Sequence, residues 1–290
     1  MDRTRRRGAL RRIGHLAWIN LDMWMHSPRT IVMALFVLSE CIMLMRGLAQ
    51  MSMTYFEGAK LRLVEMLVYR MAEGCNLPVM SVLLLVTVHE IPRRISFQSY
   101  ALLRSDKGKW LASQVLYCLM MVACMLAAVT VFMAACAIPS MDGIAGWSDL
   151  QRIEAGEAGW GNTVIDSFLI QTFSPGQALL FCAAPLGLFW LTMMLVILLF
   201  GLLGYPLFGT VVYYVMLVAH MLFMATQMEW IRFPSAYAIF KSIVSGHEGE
   251  EMSAMLRVFG GYAAVIALLL LLMRFIVGRV DFDFDTQNRV

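Results

Sequence analysis

From Ser167 to Met228 the chain runs for 62 consecutive residues without an Asp, Glu, Lys or Arg. That is enough for two membrane-crossing helices of about 20 residues each. In lipid every backbone polar group must be satisfied within the spanning structure, which leaves helices or a closed barrel. The apolar residues do not alternate in the two-residue rhythm of barrel strands. The stretch therefore predicts helices, and with it an all-α, polytopic membrane protein.

Composition agrees. Apolar residues make up 60% of the sequence, charged residues 15%, and the mean hydropathy is +0.71; soluble domains carry roughly a quarter charged residues. The six cysteines, Cys41, Cys75, Cys118, Cys124, Cys136 and Cys182, lie mostly inside apolar runs without CxxC spacing. They predict buried small side chains, with neither a disulfide framework nor a zinc site.

Read in order, the chain predicts six spans in one transmembrane domain covering residues 1–290. Residues 1–29 hold seven arginines followed by Leu16, Trp18, Ile19, Leu21 and Trp24, the pattern of an interfacial helix. The first long apolar run begins only near Thr30, too late and too long for a cleaved leader. This first span, about residues 30–48, carries Glu40 near its middle. A carboxylate at mid-depth must face protein or water, or be protonated. Two roles are open to it, a place on a transport pathway or a hydrogen-bonded helix contact.

After Gln50, the residues Tyr55, Lys60, Arg62, Glu65 and Arg70 read as an outer loop with a short surface helix. The second apolar run, Leu77 to Val88, is only 12 residues, or about 18 Å of helix. It must borrow from one of its flanks to cross a core of about 30 Å. Residues 89–110 follow as a cytoplasmic segment with five Lys/Arg against two acids. Trp110 to Ile138, 29 residues without a charge, is the third span.

Residues 139–176 form an acidic outer loop with Asp142, Asp149, Glu154, Glu157 and Asp166 against Arg152. The fourth and fifth spans meet at the uncharged turn Gly201 to Gly209, and His220 in the fifth is either a proton relay or a packing histidine. Residues 229–257 mix charged with apolar positions and read as outer re-entrant or interfacial helices. The sixth span covers about Val258 to Val277. With the N-terminus inside, inner segments hold 15 Lys/Arg and outer ones 8, the sign of the positive-inside rule, so both termini are placed in the cytoplasm.

Several chemistries lack their residues. Ser105-Asp-Lys-Gly108-Lys109-Trp110 has neither the earlier glycine nor the following hydroxyl of a P-loop. His89-Glu90-Ile91-Pro92-Arg93 begins like a zincin motif but has Arg93 where the second histidine belongs, and Pro92 breaks the required helix. No G-x-S-x-G elbow and no glycine-rich dinucleotide turn is present. An enzyme is not expected, and no catalytic, cofactor-binding or metal-binding residue is singled out.

The six spans, the basic interfacial N-terminal helix, the inner segment from Glu90 to Trp110 and the polar interruption before the last span resemble ABC-2 type transporter permeases of bacterial exporters. The run Arg104-Ser-Asp-Lys107-Gly-Lys109-Trp110 is similar to that family's basic entry to the third span. Phe233-Pro-Ser-Ala-Tyr237 looks like its outer re-entrant helices. The resemblance implies a coupling helix in residues 89–110, with Glu90 matching an acidic residue near its start. It implies a separate ABC ATPase subunit, which would hold ATP and Mg, pairing of this chain with a second copy or a similar sister, and a place in the plasma membrane.

The charged face at Arg93, Arg94, Arg104, Lys107 and Lys109 suits registration of a docked partner or contact with lipid phosphate. Nucleic acid is not an expected partner. The scarcity of intramembrane charge favours a hydrophobic or amphipathic cargo such as a peptide, antibiotic or lipid-like molecule. Two other readings stand beside the exporter: a non-transporting immunity or sensor protein, and a proton-coupled carrier using Glu40 and His220.

Overall fold

Punctuation by proline, glycine and serine sets the chain reversals. In the computed structural model Ser27 stands before α2 with Pro28 at the first helical position, where its missing N–H costs nothing. The Thr30 amide donates to the Ser27 carbonyl at 3.0 Å. The structure describes residues 2–55, 62–72, 76–88, 91, 107–138, 141, 143–144, 146–148, 170, 172–226 and 251–279. Among these all regular structure is helical.

The helices are α1 (Asp2–Met25), α2 (Pro28–Tyr55), α3 (Leu63–Ala72), α4 (Asn76–Val88), α5 (Lys107–Ala137), α6 (Pro175–Leu202), α7 (Pro206–Thr226) and α8 (Glu251–Arg279). Four are long and apolar enough to cross a bilayer, within Pro28–Gln50, Lys107–Ala137, Pro175–Leu202 and Val258–Arg279. The apolar stretch of α7, Pro206–Ala219, is shorter. The chain is a multi-pass membrane protein. The last helix begins at Glu251, and its membrane-length apolar stretch begins at Val258, where the sixth span is expected.

Helix α6 is the centre of the bundle. The five consecutive residues Leu191, Thr192, Met193, Met194 and Leu195 are all buried, so it is enclosed on every side. Around it pack α3, α5, α7 and α8, with α4 touching it more lightly. The outward faces of α2 (Ile31, Leu35, Phe36), α7 (Leu207, Val211, Val215) and α8 (Leu268, Leu271, Phe275) are apolar and exposed, as surfaces in contact with lipid tails must be. Helix α1 lays Ala17, Asn20, Leu21 and Trp24 along α5 and exposes Arg11, Arg12 and Trp18, a stripe at i, i+3, i+4 and i+7.

The α6–α7 turn shows how local sequence fixes topology. Gly204 sits at φ 87°, which glycine adopts without strain. The Tyr205 amide donates to the Phe200 carbonyl at 2.9 Å and the Gly204 amide to Gly201 at 3.2 Å, the paired bonds of a Schellman end. Pro206 then starts α7. The close approach of α7 to α6 needs Gly209, because a Cβ there would stand 2.9 Å from the Ile197 Cα.

One expectation is overturned. Helix α3 is not a surface helix in an outer loop: Glu65, Met66, Leu67, Val68, Arg70 and Met71 are all buried, and α3 packs against α6 and α5. The reason lies in its neighbours on one helix. Leu63, Val64, Met66, Leu67, Val68, Tyr69 and Met71 surround two charges, and a helix apolar on all sides is driven inside.

Candidate functional site

Helices α3 and α4 run beside α6 in step with it. Near one end the Glu65 carboxylate meets the 146–148 segment, where the Trp147 indole donates to the Phe173 carbonyl at the start of α6, 2.9 Å away. Further along, the Trp190 indole donates to the Ser81 hydroxyl at 3.0 Å. Ser81 lies 16 residues after Glu65 and Trp190 lies 17 after Phe173, so the two paths descend together. With 10 and 13 residues, α3 and α4 reach about 15 and 20 Å.

Two charged side chains on α3 are buried to an unusual degree. Glu65 is 1% exposed and Arg70 4%. The carboxylate of Glu65 accepts the Arg62 amide at 2.8 Å through Oε2 and the Ser148 amide through Oε1. A carboxylate receiving two backbone donors is a stable arrangement even away from water, and it ties α3 to the segment that follows α5. Glu65 is therefore a structural clamp.

Arg70 is different. Its guanidinium lies beside the Cys41 thiol of α2, on which Cys136 of α5 and Glu40 of α2 also act. Its two terminal nitrogens, Nη1 and Nη2, are buried without a hydrogen-bond partner. Among the described residues no carboxylate lies within ion-pair distance of it. Cys41 falls near the middle of the apolar stretch Pro28–Gln50, so a fixed positive charge is held at that level. A buried charge lacking its full set of partners is costly, by several kcal/mol, and inside a membrane protein such a group marks function by default.

The surroundings are soft. Met45 lies one helical turn beyond Cys41 and Met133 one turn before Cys136, both buried, and Met66 and Met71 are buried on α3 itself. Methionine adapts its shape to irregular contacts. Deeper along α4 a second polar group is closed: the Tyr213 hydroxyl donates to the Ser81 carbonyl at 2.7 Å, and with Trp190 it locks α4, α6 and α7 together.

The expected site residues divide. Glu90, Arg93, Arg94 and Arg104 lie outside the described residues, as do the acids expected in the 139–176 loop and the segment 229–250. Lys107 and Lys109 open α5, both half-buried. Glu40 is half-buried and close enough to Cys41, its neighbour in sequence, to act on that thiol. His220 belongs to α7, and its side chain is outside the described residues. Sequence reasoning missed Arg70; the signal was the apolar company it keeps on α3. Among the described residues no cluster of His, Cys, Asp and Glu is suited to a metal ion. Comparison with protein-family models, with curated proteins and with solved structures finds no match to this chain.

Proposed function

We propose that the chain is the membrane-embedded permease subunit of an ATP-driven exporter, coupled through residues 89–110 to a separate ABC ATPase. Its six spans are α2, the α3–α4 pair, α5, α6, α7 and α8, with α1 lying at the inner face. Two such subunits, identical or similar, enclose the path of a hydrophobic or amphipathic cargo. ATP and Mg belong to the partner. The resemblance of the whole chain's organisation to ABC-2 permeases motivates the reading.

One observation supports it more than the others. The basic segment is anchored at both ends in the bundle: Val88 is fully buried, Ile91 is 2% exposed and Trp110 3%. The Ile91 amide donates to the Val88 carbonyl at 2.9 Å, which holds Ile91 against the end of α4. A force applied to residues between these anchors passes directly into α4 and α5. Packed helices transmit it because interiors are close-packed and resist compression. A loop that only contacted lipid phosphate would have no need of such anchoring.

The reading is tested in inverted membrane vesicles carrying the chain and its ATPase. ATP is expected to drive accumulation of a fluorescent amphiphile, and a proton gradient alone is not. Accumulation driven by the gradient without ATP would replace this reading with a proton-coupled carrier.

A further inference from the structure

The unsatisfied guanidinium of Arg70 has a geometry that specifies what completes it. Its Nη1 and Nη2 are buried without hydrogen-bond partners, and they form one edge of a planar fork. That edge matches a carboxylate or a phosphate in two parallel hydrogen bonds, which a neutral carbonyl or a single hydroxyl does not reproduce.

Among the described residues, the chain's own acids do not fill the place. Glu65, five residues earlier on α3, is already engaged by the Arg62 and Ser148 amides. Glu40 is near enough to Cys41 to influence it, yet it forms no ion pair with Arg70. The Cys41 thiol gives the guanidinium a weak contact through sulfur, and Nη1 and Nη2 stay without a partner beside it. The buried residues one turn from Cys41 on α2 and from Cys136 on α5 are Met45 and Met133, both apolar and adaptable.

We infer that Arg70 is the headgroup site for an acidic amphiphile, a molecule with one carboxylate or phosphate on an apolar body. The anion pairs with the Nη1–Nη2 edge, and the body lies among the methionines between α2, α3 and α5. A small hydrophilic anion gains only the first of these contacts. Such an anion must also shed its hydration to reach a residue that is 4% exposed. That this amphiphile is the exported cargo rests on the permease reading; that it binds does not.

The test uses the purified full-length chain in a neutral maltoside detergent, without any ATPase, so its result is independent of the permease reading. Thermal unfolding is followed with increasing laurate, with dodecanol as the neutral counterpart and with inorganic phosphate. Modification of Cys41 by N-ethylmaleimide during gentle heating, read by peptide mass spectrometry, reports opening of the same place, since the thiol is fully buried in the folded chain. Laurate is expected to stabilise the wild type at concentrations at least tenfold below dodecanol, as loss of a charged hydrogen-bonded pair implies, and to slow Cys41 modification.

Arg70→Met removes the preference for laurate, and Arg70→Lys, which keeps the charge but not the fork, weakens it. If Arg70→Met does not fold, Arg70→Lys and the Cys41 protection carry the test. Equal effects of laurate and dodecanol on the wild type would overturn the inference. So would a laurate preference retained in Arg70→Lys at full strength without protection of Cys41. Stabilisation by phosphate at the same concentrations as laurate would overturn the amphiphilic class.

Discussion

The indole N–H of Trp190 on α6 donates to the hydroxyl of Ser81 on α4 across 3.0 Å, in a place where both residues are fully buried. The Ser81 carbonyl receives the Tyr213 hydroxyl of α7 at 2.7 Å. One small residue thus holds three helices in register. Interhelical hydrogen bonds in membranes contribute modestly, about 0.6 kcal/mol on average and about 1.7 at most. Ser81→Ala is therefore expected to lower unfolding stability by about 1 kcal/mol. Trp190→Ala also opens a cavity and is expected to cost about 3–5 kcal/mol. Denaturant unfolding in mixed micelles measures both, and equal losses would contradict this division.

Glu65 provides a sharper contrast. Its two carboxylate oxygens each accept one backbone amide, from Arg62 and Ser148. Glu65→Ala leaves both donors buried and unanswered, an expected cost of about 2–4 kcal/mol. Glu65→Gln keeps one acceptor oxygen and is expected to lose about half as much. Thermal unfolding of the two variants compares them, and a Gln variant as unstable as the Ala variant would show that charge, not the count of acceptors, governs the site.

At Gly209 the limit is space. A Cβ there would stand 2.9 Å from the Ile197 Cα and 3.2 Å from the Phe200 Cβ, and the first of these is backbone that cannot swing away. Gly209→Ala is expected to push α7 from α6 at a cost of about 1–3 kcal/mol. Gly260→Ala on α8, with open space around it, is expected to change stability by no more than about 0.5 kcal/mol. Thermal unfolding of the pair checks the difference.

Much of this fold was legible because the bilayer is a demanding solvent. The charge-free runs predict α5 and, within the 62-residue stretch, α6 and α7 by composition alone, and Gly204 with Pro206 marks the α6–α7 turn that the Schellman bonds confirm. The burial stripe of α1 follows from the spacing of Ala17, Leu21 and Trp24. What misled was α3, where Glu65 and Arg70, following Lys60 and Arg62 in the sequence, look like a wet surface. The bond that makes Glu65 tolerable inside comes from Ser148, 83 residues away, and nothing local announces it. Arg70 was illegible for the same reason: its depth comes from the packing of α3 against α6 and α5, helices distant in sequence.

If transport is driven by ATP, the intramembrane acid and histidine are not its motor. Glu40→Gln and His220→Ala are each expected to retain ATP-driven accumulation in inverted vesicles within about twofold, a change of roughly 0.4 kcal/mol in barrier. Loss of accumulation in both variants, with ATP hydrolysis intact, would turn the account toward proton coupling.

The central claim is that residues 89–110 dock a separate ATPase, and affinity purification of the tagged chain in mild detergent tests it most directly. The co-eluting proteins are identified and ATP hydrolysis is assayed, for the wild type, for Glu90→Ala and for the double variant Arg93→Ala, Arg94→Ala. The account predicts a stoichiometric P-loop ATPase with the wild type and a loss of association in both variants, while the chain itself still inserts and folds. A folded preparation that brings down no ATPase, or one whose ATPase is held equally by all three proteins, would contradict it.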